Sequence, residues 1–257
     1  MLLALLFSAG CSKIQLAGVS ATRYQNVTGN YSGIVVRGAM TVEMSPEYDM
    51  VEISSDWNVL PYIEVRIVDN SLVIGYKEDA RFSSGNFDTC IRLPYSASVE
   101  SVSISDMSSF RCAGDVSLSS RLRLEAQDMS SFEFGRVTSP SFILTLRDAS
   151  SFRASDVDFQ ESSLNFSDAS SAMMSGRIER CDAVLSDASS LSSAPGDPDR
   201  MLTIGSFSCT LSDASYAGFH SDGVITGTLM DASTICYSGS AVCGSVNRFD
   251  GAQIIRK

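Results

Sequence analysis

A carboxylate and a hydroxyl two residues apart recur seven times along this chain: Asp106 and Ser108, Asp128 and Ser130, Asp148 and Ser150, Asp168 and Ser170, Asp187 and Ser189, Asp213 and Ser215, Asp231 and Ser233. A degenerate eighth copy starts at Asp250. Oxygen donors stacked in register could hold a ladder of calcium ions, and paired carboxylates could cleave a glycoside. A glycosidase, however, needs two carboxyl groups made unlike by their surroundings, one protonated and one ionised, and identical copies supply no such difference. The glycine-rich nonapeptide of calcium β-rolls does not occur in the sequence. The favoured reading is structural: each Asp marks a corner and accepts hydrogen bonds from backbone N–H groups one or two residues on, while the Ser hydroxyls reach the next copy.

The remaining chemistry is sparse. The chain has one histidine, His220, beside a Ser-Asp-Gly turn, and no Cys or Glu near it in sequence to suggest a metal site. No GxSxG elbow activates a serine. Tyr216, Phe219 and Tyr237 could line a sugar-binding patch, but their spacing fits a core better. Six cysteines follow Cys11, at 90, 112, 181, 209, 236 and 243, with no CxxC pair; they read as buried thiols rather than a disulfide framework.

Strands must position the motif. The Asp spacings are 22, 20, 20, 19, 26, 18 and 19, and the one long interval contains SSAPGDPDR, a loop insertion. In LRLEAQDMSSFEF, Leu122, Leu124, Ala126, Phe132 and Phe134 share one parity and charged residues the other, the period of a half-buried strand. Gly114, Gly135, Asp156, Gly176, Gly196, Asp222 and Gly239 add a second punctuation mark per repeat. Units of about 20 residues without a helix cannot bury their apolar side alone, so they stack into a β-solenoid about 4.8 Å per coil. Parity also puts Asp128 and Ser130 in phase with the core residues, so both point inward unless the chain bends at the motif. Carboxylates ~5 Å apart would then repel by ~0.8 kcal/mol per pair even in water.

The totals agree with an exported β protein. A net charge of −11, with 16 Arg and 3 Lys scattered singly, argues against nucleic acid. MLLALLFSAGC reads as a lipoprotein signal peptide, residues 1–11, ending at a lipidated Cys11. Residues 12–30 then read as a polar linker and 31–257 as one β-helix domain, with irregular coils over 31–97 and regular repeats over 98–257.

GIVVRGAMTVEMS, then MVEISSD, VRIVDNSLVIGY and tandem SDASS-type units resemble the head GIN domain of putative auto-transporter adhesins, common in Bacteroidetes lipoproteins. The likeness spans about residues 31–256. It implies a right-handed parallel β-helix, an exported location and no established enzymatic activity. Similar proteins often carry Gly at the repeated Asp, which speaks against a catalytic carboxylate.

The sequence therefore predicts an all-β, right-handed parallel β-helix (β-solenoid) of about 20 residues per coil. It would be a non-enzymatic cell-envelope lipoprotein that binds, adheres or supports, with no cofactor and no metal. Its expected partners are an unidentified protein or glycan, the membrane through the anchor, and a second copy of the chain. A glycan-active lyase or hydrolase and an accessory role in envelope-stress signalling are the alternatives.

Overall fold

The computed structural model describes residues 13–83, 87–193 and 201–257. Among them the only helical element is a single 3-10 turn, Leu60–Tyr62; everything else regular is strand. No helix among the described residues is long and apolar enough to cross a membrane.

Alternation sets the strands and interruptions of alternation bend them. Arg121–Ala126 buries every second residue. The long strand Ser131–Leu146 does the same, but two neighbouring residues stay out of the core at 135–136 and again at 140–141. A side chain on a strand alternates faces strictly, so each slip marks a place where the chain turns to keep its apolar side inward. Each regular repeat thus has three straight segments.

Every segment pairs in parallel with its equivalent one repeat away. Phe132 pairs with Phe152 and Leu144 with Leu164, and the next step pairs Phe152 with Ala172 and Leu164 with Ala183. Stacking places like residues above one another, and the core becomes a continuous file. Phe110, Phe132, Phe142, Phe152 and Phe159 are all buried, and Phe142 stacks on Phe159 with ring centroids 4.2 Å apart. Offset and tilted aromatic contacts of this kind add stability beyond the area they bury.

The N-terminal third departs from the simple sequential stack that the sequence suggested. Gly33–Arg37 pairs on one side with Ser71–Tyr76 and on the other with Ser101–Ser105. Thr41–Ser45 likewise lies between Cys90–Pro94 and Ser109–Cys112. Spatial order is therefore 71–94, 33–45, 101–112. Three further strands are antiparallel: Ile63–Val68 on Ser71–Tyr76, Val51–Asp56 on Cys90–Pro94, and Ser20–Gln25 on Val51–Asp56. The stretch 12–30, expected as a free linker, is thus partly strand. Asp56 holds it down by accepting the N–H groups of Ala17 at 2.9 Å and Gly18 at 2.7 Å.

The inverted order has an electrostatic consequence. Across the ladder the outward residues read Glu52, Arg92, Glu43, Arg111, Glu133, Arg153, alternating in sign at every step. Stacked in sequence order, Arg92 would instead face Arg111. The Arg92 guanidinium bonds Glu52 at 2.5 Å and Glu43 at 3.4 Å, and Arg111 lies 3.1 Å from Glu133. Like charges directly opposite destabilise a strand pair, whereas unlike charges help. Arg92→Glu is expected to lower the urea midpoint by the equivalent of about 1 kcal/mol, a modest figure because the side chain is over a third exposed. Most of that loss should disappear in 1 M NaCl; a loss that persists in high salt would point to packing instead.

Candidate functional site: the Asp-Ser corner and the last coils

The repeated Asp does its work through its backbone. In the seven regular copies the Asp has φ between +52° and +60°, and the Met or Ala after it between +57° and +61°. Two successive left-handed residues make a type I′ bend, closed in several copies by the bond from the second Ser-side amide: Ser150 N–H to Arg147 O at 3.2 Å, Ser215 N–H to Ser212 O at 3.1 Å, Ser233 N–H to Met230 O at 3.0 Å. Asp is one of the few non-glycine residues that enters this region readily.

The same bend joins one repeat to the next. The amide after each Asp donates to the Asp carbonyl one repeat on: Met129 to Asp148, Ala149 to Asp168, Ala169 to Asp187, Ala188 to Asp213 and Ala214 to Asp231, all at 2.8 Å. Met107 does so to Asp128 at 2.9 Å and Ala232 to Asp250 at 3.0 Å. Hydrogen bonding between repeats therefore runs unbroken around the corner.

The Asp side chains depart from the parity expectation, while the serines follow it. The two left-handed residues turn the Asp out of line without changing the parity of the flanking strands, so Asp106, Asp148, Asp168, Asp187, Asp213 and Asp231 are exposed and Asp128 is half-buried. Ser108, Ser130, Ser150, Ser170, Ser189, Ser215 and Ser233 are all buried, at 1% exposure or less. Expected acceptance of backbone N–H groups by the carboxylates is also overturned: among the described residues the only side-chain bond to these seven carboxylates comes from the Ser105 hydroxyl to Asp106, at 2.8 Å. The serines behave closer to expectation. Ser130 Oγ accepts the Ser108 amide and Ser150 Oγ the Ser130 amide, each at 3.2 Å, and the Ser233 hydroxyl donates to Leu211 O at 3.1 Å. The hydroxyls of Ser170, Ser189 and Ser215 have no protein partner, and nothing in the structure explains why Ser is kept there.

Among the described residues no three His, Cys, Asp or Glu side chains converge, and a row of outward carboxylates along one edge lacks the roughly six to eight convergent oxygens of a calcium site. Cys112, Cys181, Cys209 and Cys236 are free and buried, Cys90 is half-buried and Cys243 exposed. Burial pushes the thiols of Cys181 and Cys209 up to about 12, which leaves them unreactive. Cys11 and the insertion at 195–200 lie outside the described residues.

Sequence reading missed one cluster. His220 is paired in register with Ser238, one repeat on. Its Nδ1 lies 3.0 Å from Ser238 Oγ and its Nε2 3.3 Å from Asp222 Oδ2. Asp222 Oδ1 accepts both the amide and the hydroxyl of Ser240 at 2.7 Å. These bonds from Ser240, and then from His220, hold the Asp222 carboxyl down at about 2. Phe219 and Tyr237 are buried, while Tyr216 reaches the surface. The signal was present in the spacing: 18 residues, the local repeat length, separate His220 from Ser238 and Asp222 from Ser240.

A family model described as "Putative auto-transporter adhesin, head GIN domain" matches residues 30–241. This chain belongs to that family. Solved structures share its fold at low identity. A putative lipid binding protein from Parabacteroides distasonis aligns at 13% identity and TM-score 0.81, over 96% of this chain and 100% of that one. A putative adhesin from Parabacteroides merdae aligns at 14% identity and TM-score 0.80, over 95% and 99%. A second Parabacteroides distasonis protein, a putative adhesin, aligns at 17% identity and TM-score 0.77, over 96% and 98%. Comparison with curated proteins finds no match.

In a head GIN domain whose Asp serves the bend, Gly should replace it well. Asp148→Gly is expected to leave the urea midpoint nearly unchanged, whereas Asp148→Val should cost about 2 kcal/mol, because a β-branched residue pays the left-handed penalty in full. Asp222 gives a prediction of different kind. Its folded pKa lies below the ordinary aspartate value of 3.8, so its stabilising effect is complete above about pH 4 and lost as pH falls through about 2. Asp222→Asn should therefore flatten the decline of stability with acid in that window, read as urea midpoint against pH.

Proposed function

We propose that this chain is a right-handed parallel β-helix of the bacterial cell envelope, anchored through Cys11, with residues 31–257 as its single domain. Its role is non-enzymatic: a rigid binding or adhesion module. The observation that carries this reading is the repeat corner. Seven Asp-Ser copies serve the bend and the core, and their carboxylates stand at equivalent corners, six exposed and Asp128 half-buried, with none shut away from solvent as a protonated acid would be. A catalytic pair requires the opposite, two carboxyls driven apart. Membership in a family named for adhesins supports the same conclusion.

Stacked repeats suit this task. Each adds the same outward positions every ~4.8 Å, so a long polymeric partner meets many weak equivalent contacts, and their joint effect exceeds any one of them. The anchor would hold the module at a membrane, and Cys11→Ala should abolish incorporation of labelled palmitate in cells.

The purified chain, applied to arrays of bacterial and host glycans and of extracellular-matrix proteins, is expected to bind a subset without altering it. Mass spectrometry of the recovered ligands decides the matter. Shortened or unsaturated glycan products would overturn the non-enzymatic reading in favour of a lyase or hydrolase.

A further inference from the structure

The cluster around His220 has the form of an activated hydroxyl. Asp222 is fixed by the two bonds from Ser240, which leaves its Oδ2 facing His220 Nε2. An ionised carboxylate there holds the ring proton on Nε2, and the Nδ1 lone pair then faces the Ser238 hydroxyl at 3.0 Å. Gly239 permits the arrangement: its φ is +97°, and a Cβ there would sit 2.8 Å from His220 Cε1. Ser238 also borders a cleft of about 200 Å³, lined in part by Tyr216, Gly218, Phe219, Tyr237 and Lys257.

We propose that Ser238 is a nucleophilic serine, deprotonated by His220 and positioned through Asp222, that takes an acyl group from a small activated ester seated in this cleft. The order of groups is that of a serine nucleophile, its base and the carboxylate that orients the base, with the imidazole turned so that Nδ1 rather than Nε2 is the base. Either nitrogen serves when the other holds the proton. In the step, a bond forms between Ser238 Oγ and the carbonyl carbon, and the ester bond to the departing oxygen breaks. The hydroxyl proton passes to His220 Nδ1 and from there to the leaving oxygen. The product is one acyl-serine per chain, a covalent attachment and not a turnover cycle. This goes beyond reversible binding by the β-helix faces, and its failure would leave that role untouched.

The test uses the full chain with p-nitrophenyl acetate and, separately, a fluorophosphonate probe, read by intact mass and peptide mapping. One adduct per chain is expected on Ser238. His220→Gln should slow it about 100-fold, the lower end of what a general base contributes, and Asp222→Asn should slow it to a smaller extent. Ser151→Ala, in a distant repeat, should leave the rate unchanged. Because Ser238→Ala alone could act through the fold, Ser238→Cys provides a second readout: its thiol should react with iodoacetamide faster than the same variant carrying His220→Gln. No adduct, adducts spread over several serines, or undiminished labelling in a folded His220→Gln variant would each overturn the proposal.

Discussion

The structure depends on a two-residue left-handed bend that also carries a hydrogen bond from repeat to repeat. Fourteen non-glycine residues in the seven regular corners sit at positive φ, a region that costs a typical L-residue roughly 1–2 kcal/mol. Asp escapes part of that cost through its short polar side chain; Ala and Met do not. What holds them is the stack itself, in which the amide of the second residue finds the Asp carbonyl of the next repeat and the flanking segments bury Phe and Leu in a continuous file. Remove the neighbour, and the bend loses the bond that makes it worthwhile. Corner and stack therefore stabilise one another, and neither is stable as an isolated unit.

The same constraint explains why the N-terminal third is built differently. A stack of parallel strands has an open edge at its end, and open edges invite unwanted pairing. Here the outer strands at that end, Ser71–Tyr76 and Cys90–Pro94, are covered by antiparallel partners, and Ser20–Gln25 adds a further layer. Asp69 and Asn70 use the familiar pair of positive φ angles to close a true hairpin between Ile63–Val68 and Ser71–Tyr76. One backbone device thus serves as a corner where strands pair across repeats, and as a hairpin where they pair with each other.

Side chains that break the repeat pattern meet between the last regular corners. Regular positions are occupied by groups with structural duties: Asp at the bend, Ser beneath it, alternating charges along one outer column. After the Asp213 and Asp231 corners, which keep the common pattern, residues from two successive repeats meet as Ser238, His220 and Asp222. A rigid scaffold that aligns any residue with its counterpart one repeat later brings together groups that are distant in sequence, which is how loops and edges of such scaffolds acquire function.

The sequence by itself determined the strands, the repeat length and the identity of the core, because alternation and an Asp mark every 18 to 26 residues are local properties. It also identified the family through the order of its motifs. It misdirected the Asp side chains, since parity counting assumes extended backbone and the two left-handed residues at Asp148 and its equivalents swing the Asp outward while leaving the parity of the flanking strands unchanged. Only the tertiary structure decided that residues 33–45 lie between 71–94 and 101–112, because nothing local distinguishes stacking in sequence order from stacking out of it. The sign alternation from Glu52 through Arg153 shows the physical reason: whether Arg92 meets Glu43 or Arg111 is a property of neighbours in space, and the chain order alone places the wrong charges together.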